Sequence, residues 1–223
     1  NGAGKTTFVL NKLVGSAGST VGIDISQQRL DYAGTHYSHA GIEYICKDIR
    51  EPLNDLGKFD LAWVRFVLEY YRRDSFDIVK NISKILKPGG ILCLIDLDCN
   101  CLRHFGLSKR LEKYLIELME IMENKFNFDP YVGIKLYSYL YDLDYRDIEV
   151  NVTPHHLIYG ELKETDYLNW TKKVEMTAKN SGCRFQDYED GYEGFFKEFT
   201  DFFTDFRRFT YTPLISCRGR KPD

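Results

Sequence analysis

Two glycines spaced as Gly-x-Gly, a carboxylate about 20 residues on and a second carboxylate after the next apolar run are residues whose types and spacing can bind a nucleoside. They are Gly2, Gly4, Asp24 and Asp48. In Asn1-Gly2-Ala3-Gly4-Lys5-Thr6-Thr7 the glycines let backbone approach a ligand closely, and the N-terminus of the helix behind them favours a polar or anionic group. Asp24 ends the β-type run Ser19-Thr20-Val21-Gly22-Ile23-Asp24, where its carboxylate is placed to accept both hydroxyls of a ribose. The same start supports other readings. Gly4-Lys5-Thr6 is also the tail of a phosphate-binding loop, Gly-x-x-x-x-Gly-Lys-[Ser/Thr], whose first glycine would fall one residue before Asn1. A tight turn ahead of a helix, with no ligand, is a third. Taken alone, these residues leave all three open.

The elements that must position these groups follow from hydrophobic periodicity. Phe8, Val9, Leu10, Leu13 and Val14 predict a helix directly behind the glycines, and Gly15-Ser16-Ala17-Gly18 a loop into the first strand. A helix is expected over 27–37, with Leu30 and Ala33 inward. Ile42-Glu43-Tyr44-Ile45-Cys46-Lys47-Asp48 reads as a strand ending in an acid. After a loop broken by Pro52 and Gly57, Phe59-Asp60-Leu61-Ala62-Trp63-Val64 is a buried strand running on towards Glu69. Asp74 begins a helix carrying Phe76, Ile78, Val79, Ile82, Ile85 and Leu86; Leu86-Lys87-Pro88-Gly89-Gly90 stops it and turns the chain. Ile91-Leu92-Cys93-Leu94-Ile95-Asp96 is a strand covered on both faces. Strands alternating with helices, with acids at strand ends, give an α/β doubly wound sheet whose ligand crevice lies beyond the carboxyl ends of the strands.

The second half reads as helix at 108–127, a turn, helix at 134–143, strand at 147–157 and helix at 164–180. A stripe of Phe195, Phe196, Phe199, Phe202, Phe203 and Phe206 at helical spacing is expected to pack against the sheet or a lid, and 211–218 forms a last strand. The two late strands predict an antiparallel hairpin at one sheet edge. The division is a nucleoside-binding core over 1–101, a helical lid segment over 102–144, and the last two strands with a helical insert (158–209) over 145–223, all one domain.

Size and composition bound the function. The chain has 223 residues, enough for one α/β domain with an elaboration, and 43% of them are hydrophobic. A net charge of −3 gives no nucleic-acid footprint and no attraction to an anionic membrane surface. No apolar run approaches the roughly 20 residues of a membrane span. Of six cysteines, Cys46, Cys93 and Cys217 sit in strand-like runs as small core residues; Cys99-Asn100-Cys101 has no second pair, so no metal site is expected. Reduced thiols and a cytoplasmic setting follow. The 16 Tyr, 15 Phe and 2 Trp crowd into the second half, where they suit either a core or a flat substrate.

In order and spacing these segments resemble the class I S-adenosylmethionine-dependent methyltransferases, in particular those acting on small molecules. Asn1-Gly2-Ala3-Gly4 resembles the end of the family's first motif, acid-x-Gly-x-Gly-x-Gly, whose acid, together with the first strand, would precede Asn1. Val21-Gly22-Ile23-Asp24-Ile25-Ser26 resembles the ribose-binding strand and Lys47-Asp48-Ile49 the segment holding the adenine. The run from Phe59 to Glu69 resembles the fourth motif, Leu86-Lys87-Pro88-Gly89-Gly90 a turn of the family, and 147–153 and 211–220 the last two strands. Arg65 and Glu69 depart from it, standing where many relatives carry small residues or histidine.

The resemblance implies a Rossmann-like, seven-stranded, mostly parallel sheet with an antiparallel last strand and helical lid insertions. It implies S-adenosyl-L-methionine as cofactor, S-adenosyl-L-homocysteine as product and a small-molecule methyl acceptor as partner. Gly2 and Gly4 would pass the methionine part and sugar, Asp24 the ribose, Ile25 the adenine face, Asp48 and Ile49 the adenine edge, and Arg65 the methionine end. In-line displacement rests on positioning, so no triad is required. A hydroxyl or amine acceptor would use a base, for which His104, His155, His156, Asp96 and Asp98 are candidates. The alternatives are a P-loop nucleotide-binding protein, with Ile91 to Asp96 as its metal-binding strand, and a non-catalytic relative that binds the nucleoside.

Overall fold

The computed structural model describes residues 2–100 and 102–223. In chain order the elements are α1 (Lys5–Val14), β1 (Thr20–Asp24), α2 (Gln27–His36), β2 (Ile42–Cys46), β3 (Phe59–Arg65), α3 (Ser75–Lys84), β4 (Leu86–Leu97), β5 (His104–Phe105), α4 (Lys109–Lys125), α5 (Leu136–Tyr141), β6 (Arg146–Tyr159), α6 (Glu164–Ser181), α7 (Tyr192–Thr204) and β7 (Phe209–Arg220). Short 3-10 turns lie at Asn54–Leu56, Leu68–Tyr70 and Val132–Lys135. The chain forms two compact units, Asn1–Phe59 with Asp77–Ile85, and Asp60–Phe76 with Leu86–Asp223.

In the first unit β1 and β2 pair in parallel, from Thr20 opposite Ile42 to Asp24 opposite Cys46. A parallel pair needs a crossover, and α2 supplies it. Ser26 caps α2 by accepting the Arg29 N–H, and Leu30 and Ala33 are its buried residues. α1 differs from its hydrophobic pattern. It buries Thr7 and Asn11, while Val9, Leu13 and Val14 are exposed. The reason is local. The Asn11 amide donates to the Gly41 carbonyl at 3.2 Å and its oxygen meets His39 Nδ1 at 2.9 Å, which fixes the polar side of the helix inward. Cys46, expected in the core, is exposed at the end of β2, its thiol directed to the Ile25 carbonyl at 3.5 Å.

The second unit is built on a sheet ordered β3-β4-β7-β5, with β6 on β7. β7 runs antiparallel to β4, β5 and β6. β4 is longer than read. Lys87-Pro88-Gly89-Gly90 lies inside it, because Lys221 donates its N–H to Gly90 and accepts that of Gly89, so chain at the far end of β7 takes up the backbone of the turn. Gly89 still bends, at φ 72°. From Leu92 to Leu97 the strand is buried, as a strand covered on both faces must be.

α4, α6 and α7 cover this sheet with one apolar cluster containing Leu111, Leu115, Leu118, Ile158, Trp170, Val174, Phe185, Phe195, Phe199 and Phe203. Phe195, Phe199 and Phe203 are fully buried, which makes the Phe stripe a packing face; each contributes about 1.5–3 kcal/mol. Phe206 departs from the stripe and is exposed, since α7 ends at Thr204 and Asp205 is extended. Of Cys99 and Cys101, the first is buried beside Asp98; Cys101 lies outside the described residues.

Gly4 and Gly2 are both left-handed, at φ 91° and φ 57°, but for different surroundings. A Cβ at Gly4 would sit 2.5 Å from the Ala33 Cβ, whereas one at Gly2 meets nothing within 4 Å. Gly4→Ala is therefore expected to cost about 2–4 kcal/mol, strain plus overpacking, and Gly2→Ala about 1–2 kcal/mol, strain alone. Urea unfolding of the two variants measures the difference; equal costs would refute the packing role of Gly4.

Candidate functional site

In the first unit the site grows from the end of β1. The Asp24 side chain is 9% exposed, and its two oxygens accept backbone N–H groups from Gly2 at 2.9 Å and Ser26 at 3.0 Å. Arg29 stands 4.0 Å off. One carboxylate therefore ties the glycine turn to the strand tip. Beside it the space over Gly2 is open, and Ile25 presents an exposed apolar surface. Gly4 lies behind this edge, capping α1 and packed on Ala33, with its carbonyl accepting the Phe8 N–H. Lys5, the P-loop lysine of the alternative reading, is exposed in the first helical turn.

Asp48 follows β2 and is claimed by Arg50. Its oxygens accept the Arg50 backbone N–H at 2.9 Å and the guanidinium at 2.5–3.0 Å, which holds the carboxyl below the usual range. Ile49 is half-buried, and its carbonyl accepts from Asn81 at 2.9 Å. Gly2, Gly4, Asp24, Ile25, Asp48 and Ile49 thus share one unit. Arg65 belongs to the other, where its guanidinium lies 4.4 Å from the Phe66 ring.

The second unit holds all five base candidates. Asp96, fully buried at the end of β4, accepts N–H groups from Leu68 (3.0 Å), Glu69 (3.3 Å) and Leu97 (3.0 Å). Burial and the neighbouring Glu69 push it up to about 7, against those donors. Glu69 is itself buried and raised by burial; Asn100 Nδ2 donates to it at 3.0 Å. Asp98 accepts from the Cys99 thiol at 3.4 Å, while its other oxygen is buried without a partner.

His104 Nδ1 meets Thr210 Oγ1 at 2.8 Å, and its ring stands edge-on to Trp170 and Phe202. His155 and His156 owe their placement to a β-bulge. Pro154 opposes Pro213, neither can donate to the ladder, and the register shifts before His156 pairs with Thr212. Neighbours on a regular strand point to opposite faces, yet these two ring centroids are 4.2 Å apart. Burial and Lys173 lower both, His156 to about 4. Phe66, left-handed at φ 54°, packs on His155 at 5.0 Å.

Sequence reasoning missed Glu69 as a buried acid, and it missed Trp170, Lys173 and Phe66. Lys173 follows Trp170 by three residues on α6, and its ammonium lies 5.4 Å from the indole. An apolar-stripe reading records Trp170 as core and Lys173 as solvated face, so neither carried a signal. Phe66 sits in the fourth-motif segment, but nothing in its residue type announces a left-handed backbone.

Residues 1–94 match the methyltransferase-domain family. The chain is 31% identical over 104 residues to the chloroplastic 2-phytyl-1,4-beta-naphthoquinone methyltransferase of Arabidopsis thaliana, covering 44% of this chain and 39% of that protein. The chain spans about two fifths of the length of the curated relatives it matches. Among solved structures, a Bacillus halodurans C-125 protein described as a methyltransferase superposes with a TM-score of 0.54 at 12% identity, over 91% of this chain and 83% of that one. The plantazolicin methyltransferase BpumL, in complex with a triazolic desmethylPZN analog and S-adenosylhomocysteine, gives 0.52 at 12% identity, over 100% and 74%. The family match thus covers residues 1–94 with the methyltransferase domain, and the likeness to the solved structures is one of fold, where the P-loop reading had only Gly4-Lys5-Thr6.

Proposed function

We propose that this chain transfers a methyl group from S-adenosyl-L-methionine to a small-molecule acceptor by in-line displacement, leaving S-adenosyl-L-homocysteine. The observation that carries the reading is the Asp24 carboxylate, held at a strand tip by Gly2 and Ser26 N–H groups beside the open space over Gly2. The residues fit the cofactor: an open cradle over Gly2, an apolar ledge at Ile25 and a shielded carboxylate between them. When bound, the cofactor supplies an already electrophilic methyl carbon.

The chain's own residues hold and orient. Asp24 accepts the ribose hydroxyls, Gly2 gives room for the sugar and methionine part, and Gly4 sets the turn that brings Gly2 to Asp24. Ile25 packs on the adenine face and Ile49 beside its edge. Asp48 reaches the adenine amino group by releasing a contact from Arg50. The role of Arg65 at the methionine end rests on the family resemblance. For a hydroxyl or amine acceptor, His155 and His156 are neutral bases at physiological pH, whereas Asp96 is occupied by three backbone donors. A doubly wound seven-stranded sheet and a cytoplasmic setting belong to the same proposal; no helix of the described residues is long and apolar enough to cross a membrane.

Calorimetric titration with S-adenosylhomocysteine should show micromolar binding, weakened roughly 100-fold in Asp24→Ala through loss of charge-assisted hydrogen bonds. Mg-ATP should give no heat. ATP binding that survives the substitution, with no response to S-adenosylhomocysteine, would reverse the reading.

A second outcome concerns pH. His156 is lowered from 6.5 to about 4, so between those values the unfolded chain binds the extra proton. Its contribution to stability is present above 6.5 and is lost as pH falls towards 4. Asp96, raised from 3.8 to about 7, acts in the opposite sense, its contribution being lost as pH rises towards 7. Urea midpoints of the wild type and His156→Gln, compared at pH 6.5 and 4.5, should show the wild type losing more on acidification. Parallel losses would remove His156 as the cause.

A further inference from the structure

Among the buried polar side-chain atoms of the second unit that have no hydrogen-bond partner within the protein, His156 Nδ1, Trp170 Nε1 and Thr212 Oγ1 form a cluster. Trp170 is 2% exposed and Thr212 fully buried. Buried polar groups are normally paired, so each orphan calls for an explanation. These three are neighbours. His156 and Thr212 face each other across β6 and β7, and the Trp170 ring stands 5.3 Å from the His156 ring. The surroundings are aromatic: His155 lies 4.2 Å from His156, Phe66 5.0 Å from His155, and His104 5.4 Å from Trp170.

The donor inventory restricts what fits. Trp170 N–H only donates, so the missing partner must offer an acceptor; the Thr212 hydroxyl and a neutral imidazole can each donate or accept. A single oxygen that accepts from Trp170 and exchanges hydrogen bonds with Thr212 and His156 satisfies all three. The rings around it suit a flat body attached to that oxygen. We infer that the cluster of His156, Trp170 and Thr212 is a recognition site for the oxygen of an uncharged aromatic hydroxy compound, with the ring against Phe66 and the neighbouring aromatic side chains. This rests on the methyltransferase reading in one respect, that such a compound is the methyl acceptor. Lys173, at 5.4 Å from the Trp170 indole, adds a positive field that favours electron density on the oxygen.

The test uses the full chain with 15N-labelled tryptophan, the Trp63 resonance being identified by Trp63→Phe. 1-Naphthol is the probe, with naphthalene (no oxygen) and cyclohexanol (no aromatic ring) as controls. 1-Naphthol should shift the Trp170 indole N–H signal in a saturable way and bind about tenfold tighter than either control, as one or two net hydrogen bonds would give. Thr212→Val, nearly isosteric and buried, should reduce that affinity by about the same factor; Trp170→Phe should do likewise if it folds. The inference is overturned if naphthalene binds as tightly as 1-naphthol, if Thr212→Val changes nothing, or if no compound moves the Trp170 signal, in which case an ordered water fills the position. S-adenosylhomocysteine titrated in parallel separates the two readings. Its binding with no response to 1-naphthol sinks this inference alone, and a 1-naphthol site in a chain that ignores S-adenosylhomocysteine sinks the methyltransferase reading alone.

Discussion

The first unit depends on one carboxylate that ties two backbone segments together. Asp24 ends β1, and its oxygens reach back to the Gly2 N–H and forward to the Ser26 N–H. The backward bond spans 22 residues and sets where the glycine turn lies over the strand tip. The forward bond fixes the start of α2, whose Ala33 then packs against Gly4. Removing the carboxylate would free both ends of this loop at once. The group that would read a ribose is therefore also the group that shapes its own pocket, a form of preorganisation in which ligand hydrogen bonds are aimed before the ligand arrives.

The second unit meets the opposite constraint, polar groups kept within an apolar layer. Asp96 and Glu69 are both buried, and taking a carboxylate out of water is costly unless it is neutralised or well hydrogen-bonded. The chain uses both remedies. Asp96 gathers three backbone N–H groups, two of them from the 3-10 turn at Leu68–Tyr70, and both acids are raised above the ordinary carboxylate range. The neighbouring Glu69 charge adds to burial in favouring the protonated form of Asp96. The His155–His156 bulge follows the same logic with opposite charge: burial and Lys173 keep both rings neutral.

How much of this was legible in the sequence divides along the same line. Features set by backbone chemistry were readable: the glycine turn, the helix behind it, the strand-end acid Asp24 and the strand alternation up to β4. Each needs a residue type that few others replace, such as glycine at positive φ. Features set by partners far along the chain were not. Lys87-Pro88-Gly89-Gly90 reads as a turn until Lys221 pairs with it. Asp48 reads as a free acceptor, though Arg50 two residues away claims it. The adjacency of His155 and His156 required knowing that Pro154 would face Pro213. Val9 and Leu13 follow a helical pattern, yet the hydrogen bonds of Asn11 decide which side of α1 turns inward.

This division bears on where specificity resides. The family match covers 1–94, which holds the glycine turn, Asp24, Asp48 and β4 to within a few residues of its end. Beyond it the chain is a cover of Phe, Tyr, Leu and Trp side chains whose volumes can be exchanged at modest cost while the layer stays packed. Polar atoms inside such a layer are the exception, because their cost does not average out. A Thr, a His and a Trp left unpaired beside and on α6 therefore stand out from the many aromatic residues around them. The aromatic residues would pack in any sequence of similar volume. The unpaired atoms keep their cost until an oxygen, of a ligand or of water, meets them.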